Sequence, residues 1–168
     1  MSIIESRRNT GVEHFIIQGG DCKNFDKGAN LSVGKKVKLL RAGKIGEGQS
    51  SVGYYAGPKG LLRAKKGDMM WVMKSNDNRY AYALVEIESV SLHRSFSSIE
   101  MGWSTDGSGE VEVIYTNLIR IRDCDIQLIS GQPGNCVLRN YKSSKSVTAD
   151  LPAEYDRIQR YRHAHIGL

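Results

Sequence analysis

The stretch that most constrains this chain runs from Leu61 to Val90. It reads Leu61-Leu62-Arg63-Ala64-Lys65-Lys66-Gly67-Asp68, then the apolar Met69-Met70-Trp71-Val72-Met73, then Lys74-Ser75-Asn76, and resumes at Tyr80-Ala81-Tyr82-Ala83-Leu84-Val85-Glu86-Ile87-Glu88-Ser89-Val90. Gly-Asp is turn chemistry, and the β-branched and aromatic residues after it suit a pleated, half-buried surface. Two such runs with a short polar break between them predict a β-hairpin, Met69–Met73 beside Tyr82–Val90. In the second strand Ala81, Ala83, Val85 and Ile87 alternate with Tyr82, Leu84, Glu86 and Glu88, which predicts a strand passing from doubly buried to half-exposed.

Other segments extend the β reading. Residues 1–12 form an arm, and residues 13–168 a single domain, long enough to bury a core without staples. Glu13–Gln18, Val111–Asn117 and Cys136–Tyr141 have strand composition, and Gly131-Gln132-Pro133-Gly134 is a turn. Lys36-Val37-Lys38-Leu39-Leu40 alternates charge with apolar character, which predicts a strand with one wet face. Ala42–Gly60 holds six glycines and reads as a loop, though without the Gly-Lys-Ser/Thr run of a phosphate-binding loop. Pro152 in a first turn, followed by Tyr155, Ile158 and Tyr161 or Arg162 at three- and four-residue spacing, predicts a helix from Ala153 to about His163. Strands first, with helices covering the ends, give an α+β class: a small β-barrel of five or six mostly antiparallel strands with short flanking helices.

Charge points to a partner. Lys35, Lys36, Lys38, Arg41, Lys44, Lys59, Arg63, Lys65 and Lys66 face only Glu47 in the same segment, so nine minus one leaves +8, more than the whole chain's net +6. Such a concentration is the footprint of a phosphate-contacting surface, or otherwise a solvated face that keeps the protein in solution. Cys22, Cys124 and Cys136 are too scattered for zinc and odd in number for a disulfide framework, which suits reduced thiols in an intracellular protein. No run reaches membrane-spanning length.

The order of basic approach, Gly67-Asp68, apolar strand, Ser75-Asn76 and a strand ending Val85-Glu86-Ile87 resembles the EVE domain of the PUA-like superfamily. Gly102-Trp103-Ser104-Thr105-Asp106 running into Glu110–Tyr115 resembles the sister YTH domain, where a tryptophan before such a strand walls a cage around a modified base. The resemblance covers about Glu13 to about Tyr161. It implies a PUA-like barrel and a non-catalytic module that recognises a modified, methylated or flipped base. Tyr54 or Tyr55 falls where these families place a first aromatic wall, and Trp103 where they place another. The edge-reading groups map onto Ser51, Val52, Met73, Ser75 and Asn76. Lys59, Arg63, Lys65 and Lys66 are the expected phosphate contacts. This chain has tyrosine where the YTH wall is tryptophan, and Ala56-Gly57-Pro58-Lys59-Gly60 where EVE domains carry an Asn/Arg-rich stretch.

Simpler roles compete with these. Trp71 inside an apolar strand reads as core, and Tyr54-Tyr55 can pack the Gly-rich loop down. Trp103 sits at a loop edge, so its loss is expected to spare the fold. The partners expected are DNA or RNA, with a larger effector left open; no cofactor, metal or membrane is expected. A base-unselective basic barrel is the alternative. A nuclease-type enzyme using Asp123 and Asp125, or a protein scaffold, is a further class, and the enzyme reading is the weaker for having no histidine that pairs with cysteine or acid at metal spacing.

Overall fold

Gly67 and Asp68 do turn the chain, and the reason is local. The computed structural model describes residues 12–18, 23–26, 29–74, 77–106, 109–121 and 151–166. Within it Gly67 has φ +94°, a conformation that only glycine adopts cheaply. The Asp68 side chain, 1% exposed, spends both oxygens on backbone: Oδ1 accepts from Glu13 N at 3.0 Å and Oδ2 from Lys65 N at 2.8 Å. A buried carboxylate is tolerated because it is fully hydrogen-bonded. It thereby ties the start of the first strand to the corner.

In chain order the elements are β1 (His14–Gln18), α1 (Lys23–Asp26), α2 (Val33–Arg41), β2 (Gly53–Gly57), a 3-10 turn (Lys59–Arg63), β3 (Met69–Lys74), β4 (Asp77–Ser91), β5 (Val111–Arg120) and α3 (Leu151–Ile166). The sheet order is β1-β3-β4-β5-β2, with β1 parallel to β3 and the other three pairings antiparallel. The five-stranded mixed sheet curls into a half-barrel. Its two edge strands are tied across the opening by the Tyr55 hydroxyl, which donates to Gln18 O at 3.0 Å.

Both faces of the sheet are buried. On the concave face Phe15, Ile17, Met70, Val72, Val85, Ile87, Val113 and Tyr115 form one core with Phe25 of α1. On the other face α3 sets Leu151, Tyr155 and Ile158 over Met69, Trp71, Met73 and Leu84. Leu39 of α2 covers Val52, Tyr54 and Ile114, with Met101 beside them. Burial on two faces is why Met69–Met73 is continuously apolar. At Val72 and Met73 the register slips past Tyr82, so β4 carries one unpaired residue and twists. Trp71, expected in the core, is 0% exposed and donates its indole N–H to His14 Nδ1 at 3.0 Å.

Two expectations are corrected. Lys36–Leu40 is not a strand but lies inside α2. Ser32 caps that helix, its hydroxyl oxygen facing Lys35 N at 3.5 Å, and Leu39 alone is buried. The loop expected over Ala42–Gly60 contains β2, paired with β5 in the register Gly53↔Tyr115 to Gly57↔Val111. The glycines there admit neighbouring atoms: a Cβ on Gly53 would lie 2.2 Å from the Tyr115 ring. Residues 1–11 of the expected arm, Cys136–Tyr141, the 131–134 turn, the three cysteines, Asp123 and Asp125 lie outside the described residues.

Candidate functional site

At the Gly53 end of β2, where the half-barrel meets the start of α2, lies a cavity of about 70 Å³. Its apolar wall is Trp103, Tyr54 and Met101, and its floor is Gly53 and the Tyr115 ring. The polar wall is Asn24, Asn30, Ser32 and Lys35, brought in by α1 and by the approach to α2.

An aromatic cluster supports this wall. Phe25, 0% exposed, stacks on Tyr115 with ring centroids 5.4 Å apart and 22° between planes, and meets Trp103 edge-on at 5.4 Å. Tyr55 completes the group, 5.9 Å from Trp103. Trp103 is therefore half-buried and anchored as well as pocket-facing. Its indole N–H donates to Tyr54 O at 2.7 Å and its backbone N–H to Ser98 O at 2.9 Å. With the Asn24 amide turned to satisfy both of its ends, that side chain donates to Gly102 O at 3.1 Å and accepts from the Trp103 indole at 3.1 Å. Gly102 has φ +100°, and the Lys35 ammonium passes 3.0 Å from where a Cβ would stand. A side chain there would both strain the backbone and displace the lysine.

Electrostatics divide the site sharply. Burial pushes the Tyr55 phenol up to about 12, and burial raises Tyr115 further still. Tyr54 is raised chiefly by burial, against the lowering effect of Arg94. All three stay neutral, hydroxyl-bearing groups at ordinary pH. Arg94 braces the loop that carries Trp103: it donates to Gly109 O at 2.7 Å and pairs with Asp106 at 2.9 Å. Hydrogen bonds from Ser98 N and from Arg94 hold the Asp106 carboxyl below its usual range. Behind that loop a buried Glu112 pairs with Lys44 at 3.5 Å and accepts from Ser95 N at 3.1 Å.

The expected site residues scatter over this frame. Trp103 and Tyr54 line the cavity, and Tyr55 backs it. The Tyr54 hydroxyl is committed to Phe96 O at 2.7 Å. Ser51 and Val52 lead into β2; Ser51 donates to Ala29 O at 2.6 Å, and Val52 is buried under Leu39. Met73 lies beneath α3 with Trp71 and Ile158, away from the cavity lining. Ser75 and Asn76 lie outside the described residues. Among the described residues no group of three His, Cys, Asp or Glu could hold a metal ion, and no helix is long and apolar enough to cross a membrane.

The basic segment also divides. Lys59 pairs with Glu110 at 3.6 Å, Arg63 with Glu13 at 2.8 Å and Lys66 with Glu88 at 3.1 Å. Lys38 reaches Glu100 at 3.9 Å. Acids distant in sequence thus intersperse a run that looks uniformly basic in one dimension. All these lysines and Arg63 remain mostly exposed, so each pair is worth about 0–1 kcal/mol and yields readily to a phosphate. Lys59–Lys66 follow the Gly57 end of β2, whereas the cavity opens at Gly53; four residues of strand separate them by about 13 Å. The cation at the cavity is Lys35, which sequence reasoning missed among its basic neighbours. The only signal for it was Ser32, a helix cap three residues upstream.

A scan against protein-family models matched none, and searches of curated proteins and of solved structures likewise found no match.

Proposed function

We propose that this chain is a non-catalytic nucleic-acid-binding module of PUA-like, EVE/YTH-type architecture that takes one nucleotide unit at the cavity beside α2. The carrying observation is the cavity's composition. Half-buried Trp103 supplies a flat apolar wall, backed by Tyr54 and facing a polar wall that contains Lys35, an ammonium that no acid among the described residues pairs. A base outside its stack needs just such a face, worth about 1–3 kcal/mol. The surrounding cations then serve the backbone, which carries no sequence information. A modified or flipped base is the favoured occupant: a base already out of its stack has no further unstacking cost, and a methyl group adds apolar surface to bury against Trp103. Base-unselective binding is the second reading, favoured by the exposure of Lys59, Arg63, Lys65 and Lys66 beyond the Gly57 end of β2, the end opposite the cavity.

Tryptophan fluorescence tests the assignment. Trp71 is buried beneath α3, so quenching on titration with single-stranded oligonucleotides reports Trp103. Quenching that saturates is expected, and its loss in a Trp103→Phe variant confirms the reporter. In the triple variant Lys59→Ala, Lys65→Ala, Lys66→Ala, affinity is expected to fall for all sequences alike. Its logarithm should also depend less steeply on salt, by about 2–3 charges. An unchanged salt slope would leave this segment as a solubility face.

A further inference from the structure

We infer that the cavity beside α2 is a phosphate seat: Lys35 and Ser32, at the start of α2, hold one phosphate of the bound nucleotide, and the Tyr115 hydroxyl meets it from below. This rests on the reading that the cavity takes a nucleotide, and it goes further by naming which part enters. The hydrogen-bonding capacity left in the cavity is its basis. Lys35 has no side-chain partner among the described residues, so its three ammonium donors are unspent. The Tyr115 hydroxyl also lacks a protein partner there, although Tyr115 is only 2% exposed and forms the cavity floor. A phenol hydroxyl that opens into a cavity without a protein partner is left for a ligand or water to meet. Asn30 spends its side-chain oxygen on the Lys36 ammonium at 3.2 Å, which leaves its NH₂ to donate.

The potential acceptors are largely used. Tyr54 O takes the Trp103 indole, and Gly102 O takes the Asn24 amide. What remains at the lining is an ammonium, an amide NH₂ and two hydroxyls, set beside the positive dipole end of a nine-residue helix. That set calls for an oxyanion. Size agrees: about 70 Å³ admits about two waters or one phosphate group, not a whole nucleotide. The base would then rest at the mouth against Trp103 while its phosphate enters.

The test compares uridine, uridine 5′-monophosphate and inorganic phosphate on the full chain by calorimetry. The monophosphate is expected to bind at least tenfold more tightly than the nucleoside, and millimolar inorganic phosphate to compete with it. Lys35→Ala should abolish the difference, and Lys35→Gln should do the same while keeping the stem. Tyr115→Phe should weaken the monophosphate severalfold and leave uridine unchanged. Lys35 makes no side-chain bond within the described fold, so the Lys35 variants should melt with the wild type. Equal binding of uridine and its monophosphate, no binding of either, or a difference that survives both Lys35 variants overturns the seat. If oligonucleotides still bind in that last case, the nucleic-acid reading stands without it. A monophosphate preference without oligonucleotide binding keeps the seat and removes that reading.

Discussion

Trp103→Ala is expected to lower the melting temperature by about 10 °C and to weaken oligonucleotide binding tenfold or more. The first effect follows from packing. The indole touches Phe25 and Tyr55 and bonds to Tyr54 O, so its removal empties a half-buried volume and orphans a carbonyl, costing about 3 kcal/mol. Spread over a chain of this length, that corresponds to the stated shift. The second follows from the missing wall, at about 1–3 kcal/mol for a stacked base. A loop-edge tryptophan spares the fold on the sequence reading. The aromatic cluster behind it makes wall and support the same residue. Trp103→Phe separates them: it keeps ring contact and is expected to recover most of the stability, leaving a deficit of about 1 kcal/mol for the lost N–H. Thermal melts and titrations on both variants check this. A melting temperature unchanged in Trp103→Ala would remove the supporting role.

Gly53→Ala should be nearly as severe, for a steric reason. The added Cβ would stand 2.2 Å from one ring carbon of Tyr115 and 2.5 Å from its hydroxyl oxygen. Tyr115 cannot retreat, because Phe25 stacks on it inside the concave core. Overpacking of this kind costs about 1–3 kcal/mol, and whatever shift relieves it closes the cavity floor. The cost is expected to be strongly coupled to its neighbour: in a Tyr115→Leu background the same substitution should cost under about 1 kcal/mol. Denaturant melts of the four-member cycle give the coupling directly. Additive losses would mean that the ring and the glycine do not share that space.

Legibility from sequence followed the strength of local pattern. β3 and β4 are plain because Met69–Met73 is buried on both faces and Gly67-Asp68 supplies a corner that only those residues make cheaply. The helix α3 is plain because Leu151, Tyr155 and Ile158 recur with its period. α2 was opaque for a physical reason. It buries only Leu39 and leaves Val33, Val37 and Leu40 exposed, so Lys36-Val37-Lys38-Leu39 mimics the two-residue period of a strand. β2 hid among glycines that are there to admit Tyr115 and Leu61 side chains rather than to loosen a loop. The cavity itself has no local signature. Asn24, Lys35, Gly53, Trp103 and Tyr115 come from separate parts of the chain and meet only once the sheet has curled. The basic run misled in the opposite sense, since Glu13, Glu88 and Glu110 reach into it only in three dimensions.

The central claim is that a nucleotide of a nucleic acid docks at the cavity beside α2 with its base against Trp103. It is tested most directly by titrating the protein with matched oligonucleotides, modified and unmodified at one base, at two salt concentrations. The account predicts a difference between the two oligonucleotides that persists at the higher salt, on top of a shared affinity that falls steeply with salt. That difference should vanish in Trp103→Ala while part of the salt-dependent affinity remains. Affinity that is indifferent to the base at both salts, and to Trp103, would contradict it and leave a surface that binds phosphates alone.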